Sequence, residues 1–304
     1  MSAPVVVVHG GAGGHTDELR ERAAEYHAAL ELALAAGAQA LEAGGGAVEA
    51  VRAAVIVLES VPLFNAGYGS ALCTDGSVEL SASVMRGSDR AAGAVAMMTR
   101  TTHPVAAAVA LLDEPEVLLA GAGADAHAAA SGLEQQHPSE FVTERQLRRL
   151  AEHLAGEGSS SDQESPERGR TGPETVGAVS LDATGLLAAA TSTGGLMGQR
   201  PGRVGDSPLI GAGTWADQAV AVSCTGQGEA FIRAGAARLV AALVEHGQTV
   251  ESAARHALAA VAECGGSGGL IAVDARGNVA TPRSTGAMPC GVWRPGQKPD
   301  TTVP

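Results

Sequence analysis

Apolar runs alternate with segments of helical periodicity along this chain of 304 residues. Val5–Val8 predicts a buried strand, because a short continuous apolar run bounded by turn residues is typical of a strand covered on both faces. Leucines at helical spacing predict a helix that begins at Thr16 or Asp17, either of which could cap it, and ends near Glu42. A second helix is predicted from residues 47 to 59.

The rest of the chain repeats this alternation. Strands are predicted near residues 77–84, 92–98, 117–120, 175–181, 186–191, 219–223, 270–274 and 278–280. Helices are predicted from Pro104 onward and over residues 124–130, 229–246 and 250–263. Each half of the chain therefore has strands and a pair of helices, and two antiparallel sheets between helix layers would bury all the apolar faces.

One polar segment interrupts the pattern. Gly156 to Glu174 is rich in Gly, Ser, Glu, Asp, Arg and Pro, which predicts a flexible linker. An apolar strand begins immediately afterwards at Thr175. The simpler interpretation is a junction where a β-branched residue suits the strand. The alternative is that cleavage of the Glu174–Thr175 bond gives Thr175 both a hydroxyl nucleophile and an α-amine of pKa about 7.7–8 that can take its proton.

Two later loops offer groups that could bind a substrate. Arg203 suits a carboxylate by bidentate pairing, and Asp206 suits an ammonium group. Together they describe a receptor for the free end of an amino acid, although a weak surface ion pair between them is the simpler interpretation. Ser223–Glu229 joins a strand to a glycine-rich helix start, where main-chain N–H groups could hold an oxyanion.

Composition narrows the choice of partners and compartment. A net charge of −13 argues against a nucleic acid partner. The four cysteines form no CxxC pair, so neither a disulfide framework nor a zinc site is expected, and free thiols in a reducing cytoplasm are the simplest interpretation. The N-terminus lacks a basic region followed by a long apolar run, so neither a signal peptide nor a membrane helix is expected.

Six segments together resemble the plant-type asparaginases, also called isoaspartyl peptidases, which are N-terminal-nucleophile hydrolases. The matching segments, in chain order, are His9–Gly13, Phe64–Gly69, Thr175–Val179, Ala190–Gly195, Gly202–Pro208 and Ser223–Glu229. The resemblance extends over nearly the whole chain.

This resemblance implies a fold and an assembly. The fold would be a four-layer αββα sandwich of mixed α/β class, formed by residues 1–304 as a single domain. The precursor would cut itself between Glu174 and Thr175 into an α chain, residues 1–174, and a β chain, residues 175–304. Two such αβ units would form a dimer.

The resemblance also implies roles for individual residues. Thr175 would be the nucleophile, Thr193 would tune its hydroxyl, and Thr225 with Gly226 would form the oxyanion hole. Arg203 and Asp206 would hold the α-carboxylate and α-amine of the substrate. The pocket would be lined further by Val204, Gly205, Gln227 and Gly228.

A sodium ion is implied by the same resemblance. Main-chain carbonyls of the loop before Asn65 would hold it, and Asn65 would help to position the surroundings of the nucleophile. The residues that supply these carbonyls would be Leu58, Glu59, Val61, Phe64, Ala66 and Tyr68. The ion would be structural, and no cofactor would be needed for the chemistry.

The implied activity is hydrolysis of L-asparagine to aspartate and ammonia, and of β-aspartyl dipeptides. The alternative is a glycosylasparaginase, which performs the same chemistry on glycan-linked asparagine. The lack of a secretion signal and of disulfides argues against that alternative. The substrate would be a small molecule or a dipeptide, with no nucleic acid or membrane partner.

Three other classes of protein fit less well. Gly265–Gly269 matches the G-x-S-x-G pattern of serine esterases, but the last histidine, His256, precedes Ser267, whereas that fold needs a later one. Gly10–Gly14 lacks the GK[ST] and the phase of a nucleotide-binding loop. A scaffold protein would leave the Thr175 junction unexplained. The nine histidines show no ligand spacing, and none is assigned a catalytic role.

Overall fold

The computed structural model describes residues 3–157 and 175–304. The helices are α1 (Asp17–Glu21), α2 (Ala23–Glu42), α3 (Gly46–Ser60), α4 (Pro104–Ala110), α5 (Ala122–Ala130), α6 (Glu144–Glu157), α7 (Gly228–Ala234), α8 (Ala236–Glu245) and α9 (Val250–Glu263). The strands are β1 (Val5–His9), β2 (Leu80–Arg86), β3 (Ala92–Met98), β4 (Leu118–Ala120), β5 (Val176–Leu181), β6 (Leu187–Thr193), β7 (Thr214–Ala216), β8 (Val220–Gly226), β9 (Gly268–Asp274), β10 (Val279–Ala280), β11 (Cys290–Trp293) and β12 (Asp300–Thr302).

The strands form two sheets that pack face to face between layers of helices. The large sheet has the order β12-β11-β1-β5-β6-β2-β3-β4, and the small sheet has the order β10-β9-β8-β7. All neighbouring strands are antiparallel except β3 and β4. Helices α2, α3 and α4 cover the large sheet, and α8 and α9 cover the small one. The predicted four-layer αββα sandwich is confirmed.

Strand β1 shows why its apolar run is continuous. Val6 and Val8 belong to the apolar cluster beneath α2 and α3, whereas Val5 and Val7 belong to the cluster between the two sheets. Successive side chains of a strand point to opposite faces, so a strand covered on both sides needs apolar residues at every position.

Strand β5 lies at the centre of the large sheet and places the residue before it. It pairs with β1 through His9 and Gly177, and with β6 through Val176 and Ser192. Thr175 therefore lies where the ends of β1 and β6 meet the start of β5.

Several predicted elements are broken or displaced. The predicted helix 16–42 is capped by Thr16, as expected, but divides at Arg22, whose backbone is not helical. The predicted helix 229–246 divides at Gly235, which adopts φ of +57°. Strand β2 begins at Leu80 instead of residue 77, and β6 and β8 extend further than predicted, to Thr193 and Gly226.

Four elements were not predicted. Helix α6 carries many charged residues, and its buried side contacts the loop after α3 through Gln146. Strands β7, β11 and β12 are short. β11 joins the large sheet by antiparallel pairing with β1, and β12 pairs antiparallel with β11. Short strands of this kind carry little periodic signal, because neighbouring strands and not their own pattern place them.

The predicted linker and cleavage site lie mostly outside the described residues. Gly156 and Glu157 still belong to α6, so the linker does not begin at residue 156. Residues 158–174, including Glu174, are not described. Within residues 3–157 and 175–304, none of the helices combines the length and apolar character that a membrane crossing needs.

Candidate active site

The hydroxyl of Thr175 lies within a hydrogen-bonded group at the start of β5. Thr175 is 5% exposed, and its Oγ1 donates to Thr193 Oγ1 at 3.2 Å. The same oxygen of Thr193 accepts from the main-chain N–H of Gly195 at 3.0 Å. Strand pairing thus brings Thr193 to Thr175, the placement that the resemblance implies. The turn that follows β6 orients the Thr193 hydroxyl.

Asn65 fixes that turn. Its Nδ2 donates to the carbonyl of Gly195 at 2.6 Å, and its Oδ1 accepts from the N–H of Ala71 at 2.6 Å. Its carbonyl accepts from the N–H of Gly194 at 3.0 Å. The amide therefore binds the loop after α3 to the turn behind Thr193, which agrees with the positioning role expected from the resemblance.

Thr225 and Gly226 lie in the small sheet, at the end of β8. Thr225 Oγ1 accepts from the N–H of Ala12 at 2.9 Å, so an acceptor site of the oxygen is used and its proton is available to donate. Gly226 adopts φ of +144°, and a Cβ there would lie 2.5 Å from Gly268 Cα. Only glycine fits this position, because a side chain would collide with the start of β9.

Arg203 and Asp206 do not form the surface ion pair that was the simpler interpretation. Arg203 is 17% exposed and binds Glu229 instead, through Nε and Nη2 at 2.9 Å each. Its Nη1 reaches Gln199 Oε1 at 3.4 Å. Glu229 and Gln199 were not named as site residues, although Glu229 ends the segment that carried the resemblance.

Asp206 is buried beside this pair. A Cβ on Gly228 would lie 2.9 Å from Arg203 Nη2 and 3.0 Å from Asp206 Oδ1, so a glycine lets the two charged groups share one wall. Asp206 Oδ2 has no hydrogen-bond partner among the described residues. A buried carboxylate oxygen without a donor is ready to accept one from a ligand.

The pKa of Asp206 is raised to about 7. Burial is the largest cause, because it disfavours the charged carboxylate, and the negative charge of Glu229 adds to it. Hydrogen bonding to its own main chain and the positive charge of Arg203 act in the opposite direction. A bound ammonium group would supply the missing counter-charge.

His9 was not predicted as a site residue, yet its ring lies between the two sheets next to Thr175. Its Nε2 is 2.9 Å from Ser223 Oγ. Burial lowers its pKa to about 3, and the main chain of Thr175 opposes that effect. The signal that could have found it is its place at the end of a fully apolar strand, where a polar side chain faces the interior.

The loop expected to bind sodium is folded around its own carbonyls. A Cβ on Gly67 would overlap the carbonyl of Glu59, and one on Gly69 would overlap the carbonyl of Phe64. Carbonyls of Leu58, Val61 and Ala66 accept long hydrogen bonds of 3.2–3.4 Å within the loop. The Glu59 side chain binds outside this loop, since its Oε1 accepts from the N–H of Val105 and from Ser192 Oγ. No side-chain cluster suited to a metal occurs in the described part of the chain.

Comparison with known proteins gives full-length matches. The family model described as Asparaginase matches residues 2–303. An isoaspartyl peptidase of Salmonella typhimurium is 43% identical over 100% of this chain and 99% of its own length. The isoaspartyl peptidase of Escherichia coli strain K12 is also 43% identical, over 100% and 97%. A human protein named isoaspartyl peptidase/L-asparaginase is 39% identical over 97% and 94%.

The raised pKa of Asp206 predicts a pH-dependent stability. The folded state binds its proton more tightly than the unfolded state, so Asp206 destabilises the fold progressively as pH rises from about 4 to about 7, by up to about 4 kcal/mol. Asp206→Asn removes this titration. Denaturant unfolding at pH 5 and pH 8 should therefore show that the variant gains stability relative to the wild type at the higher pH. Parallel behaviour of the two proteins would contradict the burial argument.

Proposed function

Because the chain belongs to the asparaginase family, we propose that it is a threonine-dependent amidohydrolase that cleaves L-asparagine to aspartate and ammonia and hydrolyses β-aspartyl dipeptides. Two observations carry this proposal: the hydroxyl of Thr175 is hydrogen-bonded to Thr193 at the end of β6, and Arg203 and Asp206 lie against Gly228, directly after β8. Relatives named isoaspartyl peptidase or L-asparaginase support it, and they favour it over the glycosylasparaginase alternative.

Arg203 and Asp206 account for the choice of substrate. Arg203 would share its guanidinium with the α-carboxylate, and Asp206 would accept the α-ammonium at its unpartnered Oδ2. Gly228, together with Val204, Gly205 and Gln227, leaves room for the main-chain end of the substrate. The side-chain amide or β-peptide bond is then directed toward Thr175.

The first half of the reaction forms an ester. Thr175 Oγ1 attacks the β-carbonyl carbon of the substrate while the α-amine of Thr175 takes the hydroxyl proton. The hydroxyl of Thr225, oriented by Ala12, and Gly226 stabilise the resulting oxyanion. The carbon–nitrogen bond then breaks, the leaving nitrogen takes the proton from the amine, and ammonia or an amino acid departs.

The second half releases aspartate. Water attacks the ester carbonyl, with the α-amine of Thr175 again taking a proton and the same oxyanion donors stabilising the intermediate. The ester bond breaks, and Thr175 Oγ1 recovers its proton. Thr193, which accepts from Thr175 Oγ1, orients the nucleophile before the attack and again once Thr175 Oγ1 has recovered its proton.

The α-amine requires that the Glu174–Thr175 bond be cut. We therefore propose a precursor that processes itself into residues 1–174 and 175–304. The family resemblance further supports a dimer of such αβ units. The four free thiols, three of them buried, support a reducing, cytoplasmic location.

A structural sodium ion is part of the proposal. Carbonyls of Leu58, Glu59, Val61, Phe64, Ala66 and Tyr68 would hold it, in a loop so tightly folded that the carbonyls of Glu59 and Phe64 leave no room for side chains at 67 and 69. Such an ion would keep the loop shape on which Asn65 depends. It has no part in the chemistry.

Self-cleavage is expected to depend on the Thr175 hydroxyl. Purified wild type should resolve into two chains by intact mass, the smaller of which begins with threonine. Thr175→Ala should remain in one piece and be inactive, whereas Thr175→Ser, which keeps a hydroxyl, should still be cut. A wild type that stays intact and yet releases ammonia from asparagine would rule out the Thr175 mechanism.

Loss of Arg203 is expected to damage recognition of the α-carboxylate. Arg203→Ala should lower kcat/KM for asparagine about 150-fold, because about 3 kcal/mol of charge-assisted binding is lost. Arg200→Ala, at an exposed neighbouring arginine, serves as the matched control and should behave like wild type. A substrate analogue without the α-carboxylate should react equally with Arg203→Ala and wild type. If both substrates suffer alike, Arg203 is structural.

Sodium removal is expected to affect stability before activity. Exchange into sodium-free buffer should lower the melting temperature, since an ion that binds only the folded state stabilises it by mass action. Chelators of divalent metals should leave ammonia release unchanged. Inhibition by EDTA that zinc or magnesium reverses would contradict both the sodium assignment and the metal-independent chemistry.

A further inference from the structure

Gln199 lies between the turn after β6 and Arg203, and the proposed reaction assigns it no part. It is buried, with 8% of its surface exposed, in the loop that leads from β6 to Arg203. Its Oε1 accepts from the main-chain N–H of Leu196 at 3.0 Å and from Arg203 Nη1 at 3.4 Å. One amide oxygen therefore contacts both the turn after β6 and the guanidinium that is proposed to hold the substrate.

A short path joins the nucleophile to Gln199. Thr175 Oγ1 donates to Thr193 Oγ1 at 3.2 Å, and the same oxygen of Thr193 accepts from the N–H of Gly195 at 3.0 Å. The next N–H along the chain, that of Leu196, donates to Gln199 Oε1. Two successive main-chain N–H groups thus serve the two ends of the path, since one holds the partner of the nucleophile and the other holds the amide of Gln199.

The neighbours of the Gln199 amide determine which way round it lies. Both groups that face Oε1 are N–H donors, whereas Nε2 faces the Sγ atom of Cys73, a weak acceptor, at 3.7 Å. A reversed amide would set its NH₂ group against two donors. The oxygen is therefore directed toward Arg203, and a guanidinium, which can only donate, needs an acceptor there.

The main chain around Gln199 holds the amide in place. Its carbonyl accepts from the N–H of Thr74 at 2.9 Å, and its N–H donates to the carbonyl of Leu196 at 3.1 Å. Gly195 adopts φ of +77°, and a Cβ there would overlap the Gln199 amide. The side chain is thus packed against the same glycine whose N–H holds Thr193.

The guanidinium of Arg203 keeps one edge for a ligand. Its Nε and one N–H of Nη2 donate to Glu229, and one N–H of Nη1 donates to Gln199, which uses three of the five donors. The two that remain, one on each Nη atom, suit bidentate pairing with a carboxylate. The side chain of Glu229 is 54% exposed, so the buried amide of Gln199 is the more firmly fixed of the two anchors.

We propose that Gln199 is a positioning residue: it fixes Arg203 relative to the turn that orients Thr193, and thereby sets the distance between the α-carboxylate of the substrate and the attacking hydroxyl. A substrate held at both ends reacts fastest when that distance matches its own spacing, and misplacement by about 1 Å can cost about 100-fold in rate. This inference rests on the proposed amidohydrolase function, because it concerns the same nucleophile and substrate.

Two substitutions of matched length test the role of Gln199. Gln199→Met keeps the shape of the side chain and removes the acceptor, so Arg203 should still bind the α-carboxylate but hold it less precisely. For asparagine, kcat should fall about ten-fold while KM stays within about three-fold of wild type. Gln297→Met, at an exposed glutamine between β11 and β12, is the matched control and should behave like wild type.

Gln199→Glu should show the opposite pattern. Its Oε1 still accepts from Leu196 and Arg203, so kcat should stay within about three-fold of wild type. The added negative charge would compete with the α-carboxylate for Arg203, so KM should rise about five-fold or more. An unchanged KM would overturn the proposal, and this result can be read even if the methionine variant fails to fold.

A double-mutant cycle shows whether Gln199 acts through Arg203. Once Arg203→Ala has removed the guanidinium, Gln199→Met should lower kcat/KM by less than about two-fold further, because no group is left for the amide to position. A similar loss in both backgrounds would mean that Gln199 acts independently of Arg203, and the proposal would be wrong. A methionine variant with wild-type kcat, or an equal loss of kcat in the methionine and glutamate variants, would overturn it as well.

Failure of the proposed function gives a different result. Wild type would then release no ammonia from asparagine, or Thr175→Ala would release it as fast as wild type. If wild type is active and Thr175→Ala is not, the kinetics of the Gln199 variants test the positioning role alone.

Discussion

The pairing of β5 between β1 and β6 is the constraint on which the rest of the site depends. It fixes Thr175 at the point where three strand ends meet, so the Thr193 hydroxyl and the His9 ring reach it without any loop having to adopt a special shape. Functional groups that project from paired strands are held more precisely than groups on loops. The turn after β6 lies outside this strand pairing, and Asn65 fixes it by donating from Nδ2 to the carbonyl of Gly195 while Oδ1 accepts from Ala71.

The second half of the site is governed by charge burial. Asp206 is buried with one oxygen unpartnered, while the guanidinium of Arg203 is occupied by Glu229, whose side chain is 54% exposed. Under the proposed function, the ammonium of the substrate would supply the counter-charge that Asp206 lacks, and its carboxylate would share Arg203 with Glu229. Selectivity for a free amino-acid end would then follow mainly from Asp206, the ionic group that is incompletely satisfied without a ligand. Glycines at 226 and 228 allow the main chain after β8 to pack closely against its neighbours, since a side chain at either position would collide with them.

Hydrogen bonds between hydroxyl groups join these two halves across the interior of the sandwich. The cluster between the sheets is otherwise built from small and branched apolar residues, among them Val7, Val179 and Ile271. Dispersion contacts of this kind resist separation strongly but specify direction weakly. The buried hydroxyls of Ser223, Thr191, Thr214 and Ser83 add short, directional hydrogen bonds between the sheets, at the cost of burying polar groups that need complete pairing.

The sequence by itself determined the class of fold, the main strands and helices, and most of the candidate site. Periodicity identified β1 and β3 because both faces of these strands are buried, and it identified α3 and α9 because one long stripe of each helix is buried. The motifs around Thr175, Thr193, Arg203, Asp206 and Thr225 pointed to the proposed chemistry because together they resemble one family, whereas Thr175 and the Arg203/Asp206 loop each have a simpler interpretation when taken alone. Tertiary structure alone decided the short strands β7, β11 and β12, the breaks at Arg22 and Gly235, the partner of Arg203 and the place of His9. The short strands, the partner of Arg203 and the partner of His9 depend on contacts between residues far apart in the chain, such as His9 with Ser223, and local sequence does not identify a neighbour that only folding supplies.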